Sequence, residues 1–155
     1  MKLPDLSDTA VFKLSNQATT CFASQNCPNT LFFGMMIPGQ FGQAVAGIQI
    51  VLPGREVAEA NAHTAAITAF EYAKIGGQEV LFSASADCHV RAWDVTNAQQ
   101  PAFTKMNKIL ERNFQMPVLS LKMTSPSFLV IGMNDGTFTG WDLNSNNVNS
   151  LQAHS

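Results

Sequence analysis

At 155 residues the chain is long enough to bury one core of ordinary size. Apolar residues make up 46% and charged residues only 13%, which excludes a disordered polyelectrolyte. A formal net charge of -2 leaves no global field to draw the chain onto nucleic acid or an anionic membrane.

The first residues, Met1 to Asp5, lack the apolar stretch of a signal peptide. Seven prolines, from Pro4 to Pro126, recur at intervals too short for a helical bundle. Ten glycines and many Asn, Ser and Thr separate short runs rich in Val, Ile, Phe and Thr, which read as strands with tight turns. In the first third these runs are 10–14, 19–23, 30–37, 43–52 and 55–60. Phe32, Phe33, Met35 and Met36 read as core, with a Met-rich adaptable interface as the alternative. The connection 38–42 is enlarged and sets Phe41 among glycines, a candidate exposed anchor. Residues 44–52, the longest apolar stretch, are interrupted by Gln49 and are too short to span a bilayer. Further on, Ile67, Ala69 and Phe70 begin another strand, and 105–112 suits either a short helix or an edge strand.

The three cysteines, Cys21, Cys27 and Cys88, do not form a zinc pattern. Cys21 and Cys27 have five residues between them and no nearby histidine, whereas zinc ligands come in two close pairs. They read as buried thiols in strands, which suits a reducing compartment. The expectation is a soluble intracellular protein, cytoplasmic or nuclear, with no membrane association, metal or cofactor.

Residues 81–94 align without gaps on residues 129–142. In both, an Asp (Asp87, Asp135) stands six residues before a Trp-Asp pair (Trp93-Asp94, Trp141-Asp142), and the two pairs are 48 residues apart. The physical reading is two hairpins: an apolar strand, a turn opened by Asp, and a second strand ending at Trp. Asp135-Gly136-Thr137 is strong turn chemistry, because glycine tolerates positive φ. Cys88, in the glycine position of the other hairpin, is less comfortable there.

These hairpins resemble WD40 repeats, the four-stranded blades of a β-propeller, whose period is about 40–45 residues. Upstream of the first stands Ala62-His63, where the family has Gly-His, and Ala153-His154 follows the second. The fold class implied is all-β, with antiparallel four-stranded blades forming part of a propeller. The approximate blades are 15–62 (degenerate), 63–112 and 113–155. At a 48-residue period the chain holds only about three blades, fewer than the four to eight of closed propellers. The expectation is therefore part of a longer propeller, or a chain whose open ends pair with another chain.

The resemblance also implies a structural hydrogen-bond chain. In the first full blade it maps onto His63, Ser83 or Ser85, Asp87 and Trp93. Neutral imidazole can donate to the carboxylate and accept from a hydroxyl, and a buried indole N–H needs an acceptor. Asp135 and Trp141 are the corresponding residues of the next blade. There no histidine falls near Asn113-Phe114, and Ile131 and Met133 replace the serines.

His63, Ser85 and Asp87 have the residue types of a hydrolase triad, but no Gly-x-Ser-x-Gly elbow accompanies them. The structural chain accounts for the same three residues, so no catalytic residue is assigned and the chain is not expected to be an enzyme. His89 is expected to face solvent or a neighbouring loop. The function implied is a protein–protein interaction scaffold that binds other proteins or peptides on the end formed by the interstrand turns, through Thr64, Ala66, Ala86 and Asn134. The alternative is an RNA-associated role through Lys105, Lys108 and Arg112. Glu111 stands among those cations, and a solvated edge guarded against further strand pairing explains them as well.

Overall fold

The computed structural model describes residues 17–38 and 44–151. The strand at 10–14, Phe41 and its glycines, and Ala153-His154 lie outside the described residues. Among those described there is no helix, and so none long and apolar enough to cross a membrane.

Twelve strands form three four-stranded sheets. The first holds β1 (Gln17–Ser24), β2 (Cys27–Pro38), β3 (Ala44–Leu52) and β4 (Arg55–His63). The second holds β5 (Ile67–Ile75), β6 (Gln78–Ser85), β7 (His89–Asp94) and β8 (Asn107–Asn113). The third holds β9 (Val118–Ser125), β10 (Phe128–Met133), β11 (Phe138–Asp142) and β12 (Asn147–Leu151). Each sheet is an antiparallel meander in sequence order, which short hairpin connections permit and parallel pairing would not. The β5–β6 hairpin turns on Gly76 and Gly77, both at positive φ, as its tight geometry requires.

Residues 105–112 carry no helix. Asn107–Asn113 pairs with β7 along its length, through Trp93↔Lys108 and His89↔Asn113, and forms the outer edge of the second sheet. That pairing satisfies one side of its main chain, whereas an eight-residue helix there would be marginal. His63 ends β4, paired with Ala46, and so belongs to the outer strand of the first sheet rather than opening the second. The cysteines also divide: Cys27 is buried, Cys21 is exposed in β1, and Cys88 sits half-buried in a turn. Only Cys27 is a buried strand thiol.

The sheets pack face to face, and the cores lie between them. Phe32, Ile48 and Ile50 of the first sheet meet Ile67, Leu81 and Trp93 of the second. Val80, Phe82 and Ala84 of the second meet Leu129, Ile131 and Trp141 of the third. Side chains alternate across a strand, so β6 feeds both cores and is buried from Val80 to Ser85.

Threonines tie one first strand to the next. The Thr19 hydroxyl lies 3.4 Å from the Ile67 carbonyl, and the Thr68 hydroxyl donates to the Val118 carbonyl at 2.6 Å. Leu119 follows Val118 where Thr68 follows Ile67, and it is 50% exposed. Phe138 and Leu151, paired across β11 and β12, are exposed on the third sheet as well.

The two Asp-led turns differ in one residue. Gly136 has φ +88°, and Cys88 holds φ +75° in the same place, with its N–H bonded to the carbonyl three residues back in both. A side chain in this region costs about 1–2 kcal/mol. Cys88→Gly is expected to raise the unfolding free energy by about 1 kcal/mol, and Gly136→Cys to lower it similarly. Denaturant titration of both variants reads the opposite signs; equal effects would remove backbone strain as the cause.

Candidate functional site

The most ordered polar arrangement lies where β4 of the first sheet meets the second. β6 and β7 present Ser83 and Trp93 to this seam, since both lie on the β6–β7 face turned toward β4. The indole Nε1–H of Trp93 donates to Ser83 Oγ at 2.9 Å. The Ser83 hydroxyl donates to His63 Nε2 at 2.7 Å, and His63 Nδ1–H donates to Asp87 Oδ2 at 3.0 Å. An indole can only donate and a carboxylate can only accept, so the two ends of the chain set the histidine tautomer. Asp87 accepts further bonds from the main-chain N–H groups of Thr64 and His89, each at 3.0 Å.

Burial, the largest influence on His63, pushes its pKa below the ordinary value and outweighs the stabilising hydrogen bond with Asp87. The ring is therefore neutral, as the chain requires. Burial also disfavours charge on Asp87. Hydrogen bonds from His63 and the Thr64 and His89 main chain outweigh that cost, and its carboxyl lies well below the usual carboxylate range.

Ser85 stands outside this chain. Its hydroxyl donates to the Ala65 carbonyl and accepts from the Asp87 N–H, so it shapes the turn. Asp135 and Trp141 do not form a second chain, which corrects their assignment to one. Asp135 is exposed and accepts from the N–H and hydroxyl of Thr137. Trp141 donates to Asn146 Oδ1 at 2.8 Å, and Arg112 stacks over its ring at 5.9 Å. With Ile131 and Met133 in place of serines and no histidine, the indole turns to the β11–β12 connection. His89 is half-buried, with Nδ1 2.9 Å from the Asp87 carbonyl.

Two arginines that the motifs do not single out reinforce the same seam. Arg91 donates to the Ala62 carbonyl at 2.7 Å and pairs with Glu111 and Asp87. Arg55, at the start of β4, donates to the carbonyls of Ala98, Gln100 and Phe103 in the β7–β8 connection. Gln99 of that connection donates in turn to the Pro28 carbonyl at 2.8 Å. No sequence motif marks the bonds of Arg55 and Gln99, because their acceptors are main-chain groups more than 40 residues away.

The predicted contact residues gather at one end of the sheets. Thr64 and Ala86 are exposed, and Ala66, half-buried, accepts the Ala86 N–H at 3.1 Å. Asn134 is exposed in the β10–β11 turn, where its N–H donates to the Pro117 carbonyl at 3.1 Å. All four lie in turns fixed by main-chain bonds, on a rim between sheets. No group of three or more His, Cys, Asp and Glu among the described residues is placed to hold a metal ion.

Three meandering sheets stacked face to face, joined along their first strands, have the fold of three β-propeller blades, and the solved structures they resemble are WD40 propellers. Sqt1 from Chaetomium thermophilum superposes with a TM-score of 0.64 at 19% identity, over 90% of this chain and 36% of that one. Sqt1 bound to the N-terminus of the ribosomal protein L10 gives 0.59 at 21% identity, over 82% and 34%. The WD40 β-propeller domain of Doa1 gives 0.55 at 15%, over 83% and 38%. The chain thus spans little more than a third of the length of these similar structures. No protein-family model and no curated protein sequence matches it.

His63→Ala is expected to destabilise the chain by roughly 1–3 kcal/mol, because Asp87 and Ser83 lose a buried partner. An unchanged unfolding midpoint would count against the chain of bonds. The pH response has a definite sign. The folded chain disfavours protonated His63, so below about pH 6.5 the unfolded chain binds more protons. Stability is complete above that pH and falls as pH drops toward the lower folded value. Thermal scans from about pH 7.5 to 5 should show a midpoint that declines in the native chain and declines less in His63→Gln.

Proposed function

We propose that this chain is a non-catalytic scaffold whose blades present turns to a protein or peptide partner. The observation that carries this reading is the rim of Thr64, Ala66, Ala86 and Asn134, whose main-chain groups are bonded between the entry loops and turns of the second and third blades. A rigid frame with exposed small and polar turn residues binds by surface complementarity, with little ordering cost on its own side. His63, Ser83 and Asp87 are used up in bonds within the seam. The similarity to Sqt1, which was solved bound to a ribosomal protein's N-terminus, supports a peptide-like partner at the level of the fold. The exposed Leu119, Phe138 and Leu151 would take a further blade or a second copy of the chain. The free thiols of Cys21, Cys27 and Cys88 support a reducing, cytoplasmic or nuclear setting.

Cross-linking and affinity capture from the source cell test the reading. A specific partner should be retained by the native chain and lost with Ala86→Arg/Asn134→Arg, while the thermal midpoint of the variant stays within a degree or two. Retention of the same partner by that variant would remove the rim as the contact surface.

A further inference from the structure

At the edge of the rim, sharing Thr64 with it, a cleft of about 370 Å³ opens between the first and second blades. Its walls are the last strands of two neighbouring sheets, β4 and β8. Each pairs on one side only, so each carries main-chain N–H and C=O groups unmatched by a strand along its free edge. Asn61 and Asn107 stand on opposite walls, and the apolar surface between them is that of half-buried Val45 and the lysine stems, since Trp93 and Met106 beneath are almost closed to solvent.

The charges in this cleft are unequal. Arg91, Lys105 and Lys108 line it against a single carboxylate, Glu59. Just outside, Glu111 accepts from both Arg91 and Lys108 through one oxygen, which shows how the second blade's wall holds a carboxylate. Lys105 is exposed and has no ion-pair partner among the described residues. An extended segment lying here would find main-chain partners along an open edge, an apolar surface, and a cation for an acidic side chain.

A nucleic acid fits less well. Glu59 and Glu111 stand in the path of a phosphate backbone. The aromatic ring of the cleft, Trp93, is only 4% exposed and its N–H is engaged, so it offers no stacking surface.

We infer that the cleft between β4 and β8 is a second recognition site, which takes an extended peptide carrying an acidic side chain beside an apolar one. The inference rests on the scaffold reading and adds to it the chemistry of one partner segment and its place. Lys105 is the specificity-determining contact, and Lys108 shares its load with Glu111.

Fluorescence anisotropy on the full chain tests it, with a short labelled peptide alternating glutamate and leucine as the probe. Its counterpart with lysine in place of glutamate, and a labelled oligouridine, are compared at low and moderate salt. The acidic peptide should bind saturably below about 1 mM. Lys105→Glu/Lys108→Glu should weaken it about tenfold or more, with the thermal midpoint unchanged, and Ala86→Arg/Asn134→Arg should leave it intact. No saturable binding would leave the lysines as mere guards of an open edge and overturn the inference. Equal binding of the lysine peptide, or tighter binding of the oligouridine, would overturn it as well. The outcomes separate from those of the rim. A captured partner lost with the rim variant but kept by Lys105→Glu/Lys108→Glu, with no peptide binding, sinks the cleft alone. Peptide binding without any rim-dependent partner sinks the rim alone.

Discussion

From Val80 to Ser85, β6 has no side that faces water. Val80, Phe82 and Ala84 lie in one core and Leu81 in the other, and Ser83, on the Leu81 side, holds the polar chain. A strand buried on both faces cannot belong to a free-standing sheet, since removing either neighbour would expose a row of apolar side chains. The other features of the fold follow from that demand. The sheets must stack, their first strands must come close, and each seam must satisfy the polar groups that it covers. The described residues leave no buried side-chain nitrogen or oxygen without a partner, so the stacking meets that last condition.

The two seams satisfy it by different means. Between the first and second blades the polar groups are side chains of fixed geometry: His63, Ser83, Asp87 and Trp93, with Arg91 and Arg55 at the margins. Between the second and third, Thr68 reaches the Val118 carbonyl and Glu71 accepts the Met123 N–H at 3.1 Å. Arg112 closes that seam by donating to the Asn146 carbonyl. The third blade manages without a histidine because its indole finds Asn146 five residues along its own chain. A recognition surface built beside the first seam therefore stands on the more firmly specified part of the molecule.

Hairpins with strong local chemistry were legible in the sequence. The Asp-x5-Trp spacing placed β6–β7 and β10–β11, and the strain expected at Cys88 is visible as a positive φ. His63 was readable as a partner of Asp87 only through family resemblance, since 24 residues separate them. The choice between Ser83 and Ser85 was not readable. Both sit on the same side of β6, and what decides between them is depth: Ser83 lies beside the Trp93 indole, and Ser85 at the turn. Arg55, Thr19 and Thr68 left no trace, because their partners are carbonyls, which every residue has. The cations at 105–112 were visible as a patch, but the opposing wall with Glu59 and Asn61 comes from another sheet.

The grip of Arg55 on the β7–β8 connection reaches beyond local packing. One guanidinium spans carbonyls from Ala98 to Phe103, and Gln99 fastens the same loop to Pro28. The connection belongs by sequence to the second blade but is tethered to the first, so neither can open without tearing it free. The first two blades thus form one cooperative unit, while the third is attached through fewer such ties. In native-state hydrogen exchange the amides of β2, β3, β6 and β7 would report a shared opening free energy, and those of β11 and β12 a lower one.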